Sequence, residues 1–335
     1  MQIAILLATY NGTPYLQEQL DSIKRQTHID WTVLSSDDGS NDETMAMIDA
    51  FANTVGKSKV QQVQGPQQGF ARNFLSMVCH PNLKADAYAY CDQDDIWLDD
   101  KLERAARFLA SVPSDVPALY CSRTQYVDQD NYPLGLSLPY ARPAVFANAL
   151  VQNIASGNTM VFNDAARQLL VQAGPQVDID LHDWWTYMLV TGMEGKVLFD
   201  QTPSVRYRQH PNNLWGMNTS LKSQVMRIKK LFGGRFANWN ERHIAALGPM
   251  QHMLTLDNQK IFKQFAVARK LSLVPRLVGL KQSGVYRQTR INNVGFFLAA
   301  LLGKVWLPMK WIVVVPMQLI LKRRSVRWSL GCDLS

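Results

Sequence analysis

Three polar clusters carry the residue types that chemistry needs, and each one ends an apolar run. Asp92-Gln93-Asp94-Asp95 comes directly after Tyr88-Ala89-Tyr90-Cys91. Carboxylate oxygens suit Mg²⁺ or Mn²⁺, and such a metal commonly keeps positions open for substrate phosphates. Acids also favour the start of a following helix, where they oppose its dipole; their place at a strand end favours the metal. Asp37-Asp38-Gly39-Ser40 ends a second run and Thr9-Tyr10-Asn11-Gly12 a first. A carboxylate in the Asp37-Asp38 pair can accept a hydrogen bond from a base N–H or a sugar hydroxyl. Gly39 permits a tight turn close to a ligand, and Tyr10 offers a ring that stacks on a base or closes the core.

The elements that must position these clusters follow a βαβ rhythm. Ile3 to Ala8, Trp31 to Ser35, Val60 to Val63, Ala85 to Cys91 and Ala118 to Ser122 read as strands. Between them, Pro14 to Gln26, Asp42 to Ala52, Phe70 to Val78 and Asp99 to Ala110 read as helices, the first with Leu16, Leu20 and Ile23 on one face. Thr13 and Pro14 predict an N-cap and first helical residue. This alternation predicts an α/β fold with a mostly parallel sheet flanked by helices, and ligands collect at the carboxyl ends of such strands. Residues 126–220 are less regular and read as the rest of the same domain.

Of the 335 residues 47% are hydrophobic and 19% charged, enough for one large core or two smaller ones, which excludes disorder and a disulfide mini-scaffold. Cys79, Cys91, Cys121 and Cys332 contain no CxxC pair, so they fit neither a zinc cage nor a disulfide framework and suit a reducing compartment. Met1 to Ala8 lacks a cationic leader and reads as a buried strand rather than an export signal. The net charge of +8 divides unevenly. Residues 1–220 hold 15 Lys and Arg against 24 Asp and Glu, whereas residues 221–335 hold 20 against 3. The expected organisation is therefore an α/β domain over 1–220 and a basic, helical, membrane-associating region over 221–335. Within the latter, Val294 to Leu302 and Val305 to Leu321 are apolar, but Pro308, Lys310 and Pro316 count against a spanning helix. Trp306, Trp311 and Trp328, with Lys322-Arg323-Arg324, suit an interfacial position on anionic lipid. Nucleic acid is the competing partner for such charge; cations flanking apolar Trp-containing segments favour membrane.

Taken together, Ala8-Thr9-Tyr10-Asn11-Gly12, Asp37-Asp38-Gly39-Ser40-Asn41-Asp42, Gly69-Phe70-Ala71-Arg72-Asn73 and Asp92-Gln93-Asp94-Asp95-Ile96-Trp97 resemble the motifs of family 2 glycosyltransferases of the GT-A fold. The similarity spans roughly residues 1–215 and is nearest in character to the bacterial rhamnosyltransferase-like branch that builds O-antigen and exopolysaccharide. It implies a nucleotide-sugar site formed by Ala8, Thr9, Tyr10, Asn11, Asp38, Arg72, Asn73, Asp92 and Gln93. It further implies a divalent metal, Mg²⁺ or Mn²⁺, on the Asp92 and Asp94 pair, with Asp94 as direct ligand. Leu181-His182-Asp183-Trp184-Trp185 resembles the segment that supplies the catalytic base, which makes Asp183 the candidate; the alternative is an aromatic helix start capped by Asp183. Arg206-Tyr207-Arg208-Gln209-His210, continuing into Pro211-Asn212-Asn213, resembles the segment that closes the site, with His210 as metal or diphosphate ligand and Arg208 facing phosphate. Gly157, Asn158, Trp184 and Trp185 fall on the acceptor side. The implied activity is inverting transfer from dTDP-rhamnose or a UDP-hexose to a lipid-linked glycan, at the cytoplasmic face of the plasma membrane.

Two other classes compete. A sugar-phosphate nucleotidyltransferase shares the α/β sheet and the carboxylate-held metal, but the chain lacks a Gly-rich, cation-containing loop after the first strand. A non-catalytic membrane scaffold would use the acidic clusters as caps. An NAD oxidoreductase is disfavoured because no GxGxxG follows the first strand.

Overall fold

The computed structural model describes residues 1–210 and 235–303. Nine strands among these residues form one sheet: β1 (Ile3–Thr9), β2 (Trp31–Asp37), β3 (Val60–Gln64), β4 (Ala87–Asp92), β5 (Ile96–Trp97), β6 (Ala118–Val127), β7 (Pro133–Leu136), β8 (Val161–Asn163) and β9 (Lys196–Arg208). Their order is β3-β2-β1-β4-β8-β6-β9-β5, with β7 on β6. The long registers, β1 with β2 and β4, β2 with β3, and β6 with β9, are parallel. The short pairings β4–β8, β6–β8, β5–β9 and β6–β7 are antiparallel. The sheet is thus mixed and mostly parallel, as the alternation predicts.

Helices cover both faces, so β1 is buried on both sides and reads as an unbroken apolar run. Ile3, Ile5 and Leu7 pack against α1 (Leu16–Lys24) and α4 (Lys101–Ala110), together with Ile48 and Phe51 of α2 (Thr44–Val55). Ala4 and Leu6 belong to the opposite core, with α3 (Phe70–Val78), α5 (Phe146–Ala149), α6 (Asp164–Ala173) and α7 (His182–Gly192). That second core continues without a break into α8 (Arg235–Leu247), α9 (Leu256–Ala268), α10 (Leu273–Gln282) and α11 (Arg290–Leu301), through Phe236, Leu254, Phe265, Leu280 and Phe296. Polar links reinforce it. Asn258 Nδ2 donates to the Thr191 and Gly192 carbonyls at the end of α7, at 3.2 and 2.9 Å, and Gln288 N donates to Gln152 Oε1 at 2.7 Å.

Two sequence expectations need correction. Helix α1 starts at Leu16, not Pro14, and Thr13 is not its cap: the Thr13 hydroxyl donates to Asp42 Oδ2 at 2.5 Å, while the Gly12 carbonyl accepts from Tyr15 and Leu16 N–H. The hydroxyl that would have capped the helix ties two loops together instead. The region after residue 126 is also more regular than its prolines suggest, because β9 runs for 13 residues through Pro203. Its partner register jumps between Ser122 and Thr124, leaving an excess loop around Thr202 and Pro203 out of the ladder. Arg104 holds that loop by donating to Asp200 Oδ2 at 3.0 Å and the Pro203 carbonyl at 2.7 Å.

The domain boundary expected at residue 220 and the segment Val305 to Leu321 lie outside the described residues. Among the described residues no helix is long and apolar enough to cross a membrane. Because α8 to α11 share a core with α7, Phe296→Ala should destabilise the whole protein by about 3–5 kcal/mol. Denaturant unfolding followed by circular dichroism should show one transition at lower midpoint; two separate transitions would mean the C-terminal helices fold as an independent unit.

Candidate active site

Parallel registry brings the chemistry-bearing loops together. Thr9 pairs with Asp37 across β1 and β2, and Ala8 with Asp92 across β1 and β4, so all three polar clusters leave the sheet at one carboxyl edge. Side chains then lock the loops. Asp37 accepts from Thr9 Oγ1 at 2.9 Å, from Ser40 Oγ at 2.5 Å, and from the N–H groups of Gly39 and Ser40 at 3.1 and 2.8 Å. Gly39 sits at φ 98°, a conformation that glycine adopts without strain. Asn11, at φ 48°, donates its N–H to Ser40 Oγ and accepts the Asn41 N–H on Oδ1. Gln93 clamps Tyr10 at two points: Oε1 accepts its N–H at 2.8 Å and Nε2 donates to its carbonyl at 2.9 Å. A Cβ on Gly12 would lie 2.6 Å from Gln93 Oε1, so this clamp explains the glycine. The backbone of Tyr10 is fixed while its ring stands 58% exposed over the edge.

Asp38 accepts the N–H groups of Gln67 at 2.6 Å and Gly69 at 3.0 Å, which draws the loop before α3 over the end of β2. Asn73, fully buried, donates Nδ2 to the Ser36 carbonyl at 2.9 Å. A Cβ on Gly65 would meet Asp38 Oδ1 at 2.7 Å and Asn73 Oδ1 at 3.0 Å, so glycine is required there. Arg72 reaches the Pro175 carbonyl at 2.9 Å.

The acidic loop is held from behind. Asp95 is fully buried and accepts Asn158 Nδ2 at 2.7 Å and the Arg208 N–H at 3.3 Å. Lys101, also fully buried, lies 3.3 Å from the Trp97 ring centroid and donates to the Asn158 carbonyl at 2.7 Å. Burial pushes its ammonium down to about 7, against the pull of Cys91, Asp95 and Asp92. Burial also raises Asp95 well above the usual carboxylate range. In front, Asp94 Oδ2 lies 2.9 Å from His210 Nε2, whose ring stacks on Tyr15 at 4.9 Å. Asp92 is pushed up to about 7 by burial and then by the charges of Asp94 and Asp183.

Asp183 stands in the first turn of α7. Its Oδ1 accepts the Trp184 N–H at 2.6 Å and its Oδ2 the Gly157 N–H at 3.2 Å. Burial raises it to about 6, and these bonds, with one from the Asn153 side chain, work against that rise. A carboxyl group poised there is ionised at neutral pH yet basic enough to take a proton. The charge of Asp183 also raises Asp92, so this carboxyl faces the acidic loop.

Tyr10, Asp38, Asp92, Asp94, Asp183 and His210 thus converge on one edge. Four expectations change. Thr9 is buried on Asp37, whereas Asn11 is exposed and also ties its turn to Ser40 and Asn41. Trp184 and Trp185 are core residues, 3% and 0% exposed, with Trp184 Nε1 donating to the Ala149 carbonyl, so neither ring can stack on a sugar. The buried Arg208 side chain meets Glu18 at 3.0 Å, the Asp94 carbonyl at 3.2 Å and the Gln129 carbonyl, and acts on the acidic loop rather than on an open phosphate site. Gly157 and Asn158 act through Asp183 and Asp95. Sequence reasoning missed Asp37 as loop anchor and Lys101 as buried counter-charge. A lysine facing the apolar interior of an amphipathic helix was the available signal.

Residues 4–170 match the model of Glycosyl transferase family 2. The chain is 30% identical over 237 residues to the dTDP-rhamnosyl transferase RfbG of Shigella flexneri, covering 66% of this chain and 78% of that one. The chain belongs to glycosyl transferase family 2. It is also 28% identical over 101 residues to the UDP-Glc:alpha-D-GlcNAc-diphosphoundecaprenol beta-1,3-glucosyltransferase WfgD of Escherichia coli, covering 30% of this chain and 38% of that one. Among solved structures, S. aureus TarS 1–349 in complex with UDP-GlcNAc is similar at TM-score 0.49 and 14% identity, covering 85% of this chain and 93% of that one. This is a nucleotide-sugar-dependent glycosyltransferase, and the nucleotidyltransferase and scaffold alternatives fall away.

Removing the buried counter-charge while keeping its volume tests the support of the acidic loop. Lys101→Met should destabilise the fold by about 1–3 kcal/mol, because it leaves the buried Asn158 carbonyl without the Lys101 donor; thermal melts of the two proteins at neutral pH check it.

Proposed function

We propose that this family 2 enzyme transfers a sugar with inversion from a nucleotide donor, dTDP-rhamnose or a UDP-hexose, to a lipid-linked glycan in the synthesis of a bacterial cell-surface polysaccharide. The observation that carries the chemistry is the juxtaposition of Asp183, held by two backbone N–H groups, with the Asp92 and Asp94 loop. The names of the Shigella and Escherichia relatives support the donor and acceptor classes.

In this reading Tyr10 stacks on the base at the open edge, and Ala8 and the Asp38 turn line its pocket. Gln93, by fixing the Tyr10 backbone, keeps that ring in place. Arg72 lies on the nucleotide side of the same turn, whereas Asn73, expected there, is buried and supports the turn by holding the Ser36 carbonyl. Asp183 accepts the proton of the acceptor hydroxyl as its oxygen attacks the anomeric carbon, and the bonding pair of the breaking glycosidic bond leaves with the nucleoside diphosphate on the opposite face.

The donor set fits a divalent cation. The charge of Asp94 raises Asp92, so the pair gains from a cation beside it, and a metal bound by one or two carboxylates has its coordination finished by substrate phosphates. Asp94, Asp92 and His210 would hold Mg²⁺ or Mn²⁺, which when bound supplies positive charge to the departing diphosphate.

A thermal-shift screen of UDP-, dTDP- and GDP-sugars, with Mn²⁺ and with chelator, tests the donor side. One nucleotide class should raise the melting temperature in the presence of metal, and Asp94→Ala should abolish that rise. No shift with any nucleotide sugar in folded protein would overturn the reading. Asp183→Asn should leave the shift intact and lower kcat by about 10²–10⁴-fold. Because Asp183 titrates near 6 and works as the carboxylate, kcat should fall about tenfold per pH unit below 6 and level off above it. An unchanged rate at pH 5 would exclude Asp183 as the base.

A further inference from the structure

Helix α11 is apolar on both faces. Phe296, Ala299 and Ala300 turn inward onto Phe236 and Leu280. Ile291, Val294, Leu298 and Leu302, at helical spacing on the other side, are exposed, Val294 and Leu302 each by 60%. Helix α10 repeats the pattern: Leu280 is buried, whereas Val274, 68% exposed, and Val278 face out. The two helices are joined where Arg276 Nη1 of α10 donates to the Ala300 carbonyl of α11 at 2.9 Å. A helix that is hydrophobic all round needs cover on both sides, and a contiguous exposed apolar surface marks an interaction site.

The charge around this face says what covers it. From Asn258 to Gly303 the chain has eight Lys and Arg and no Asp or Glu. Lys263, Lys281 and Arg290 are exposed, and among the described residues no carboxylate pairs with them. A second copy of the same face would bring cations against cations. An anionic bilayer satisfies both features, since its acyl boundary takes the Val, Ile and Leu side chains and its headgroups take the cations. In the sequence, residues 304–335 continue the same pairing of apolar runs with Lys and Arg.

We infer that the outer face of α10 and α11 docks the enzyme on an anionic lipid surface. The inference deepens the reading of the acceptor as lipid-linked and rests on it for its purpose: docking brings the site to an acceptor confined to the membrane. Contacts from α8 and α9 to α7, such as Trp239 edge-on to Trp184 at 5.9 Å, join the docking helices to the element that carries Asp183.

The test is co-sedimentation of the full chain with phosphatidylcholine vesicles, with and without phosphatidylglycerol. The native chain should bind only the anionic vesicles, and Val294→Glu with Leu298→Glu should lower its partition coefficient roughly tenfold. Ile29→Glu, which removes an isolated exposed apolar side chain elsewhere, should leave partitioning unchanged. Unchanged binding of the double variant would overturn the inference. So would equal binding of the native chain to neutral vesicles, or a native dimer that the double variant dissolves. A lower melting temperature of the variant without lipid, with partitioning unchanged, would assign the face to residues 304–335 instead and overturn it equally. The nucleotide thermal shift is measured on the same variants. Its presence with vesicle binding absent sinks only the docking surface, whereas its absence in the native chain sinks the transferase reading.

Discussion

Excess negative charge at one edge of the sheet is the constraint around which the rest is organised. Asp92 feels the charges of Asp94 and Asp183, and Asp95 those of Asp94 and Asp92, while burial disfavours charge at Asp92, Asp95 and Asp183. A substrate diphosphate with its cation needs such a field, but the empty loop must hold together without one. Lys101 answers part of that demand from behind, with Asn158 as the joint: its side chain serves Asp95 and its carbonyl serves the ammonium. Arg208 answers another part by holding the loop's backbone and Glu18. Cations at the back leave the front of the loop free for chemistry.

The same economy governs the turns above the sheet. Asp37 satisfies four donors, so Ser40 and Asn11 can be placed without any help from a ligand. Gln93 joins the acidic loop to the Tyr10 turn, which links the expected metal side of the site to its base side through one amide. Preorganisation of this kind means that little need be ordered when the donor arrives. On the far side, Asp183 depends on α7, whose inner face is fully buried and whose end is held by Asn258 from α9. The basic C-terminal helices are therefore part of the support of the Asp183 segment as well as the bearers of an exposed apolar face.

The elements that carry strong local signals were legible from the chain. Helix α3 begins and ends where its pattern predicts, because Gly69 starts it and apolar residues recur on one side. Strands β1 and β4 are buried on both faces, and continuous apolar runs report that directly. Strand β9 was not legible, since Pro203 and its charged neighbours argue against a strand; only pairing with β6 and the loop held by Arg104 make it one. Thr13 carries the local signature of a cap, yet a tertiary partner, Asp42, takes its hydroxyl.

At the site, residue types and their order after successive strands were enough to name the family and to single out Tyr10, Asp38, Asp92, Asp94, Asp183 and His210, because parallel strands deliver their carboxyl ends to one edge whatever the details. What the sequence could not contain was the direction of each side chain. Trp184 and Trp185 are expected on the acceptor side and are core, Arg208 is expected to face phosphate and faces inward, and Lys101, for which the motifs carry no expectation, is buried behind the acidic loop. Those outcomes depend on which groups lie across the gap from each side chain, and only the packed chain decides that.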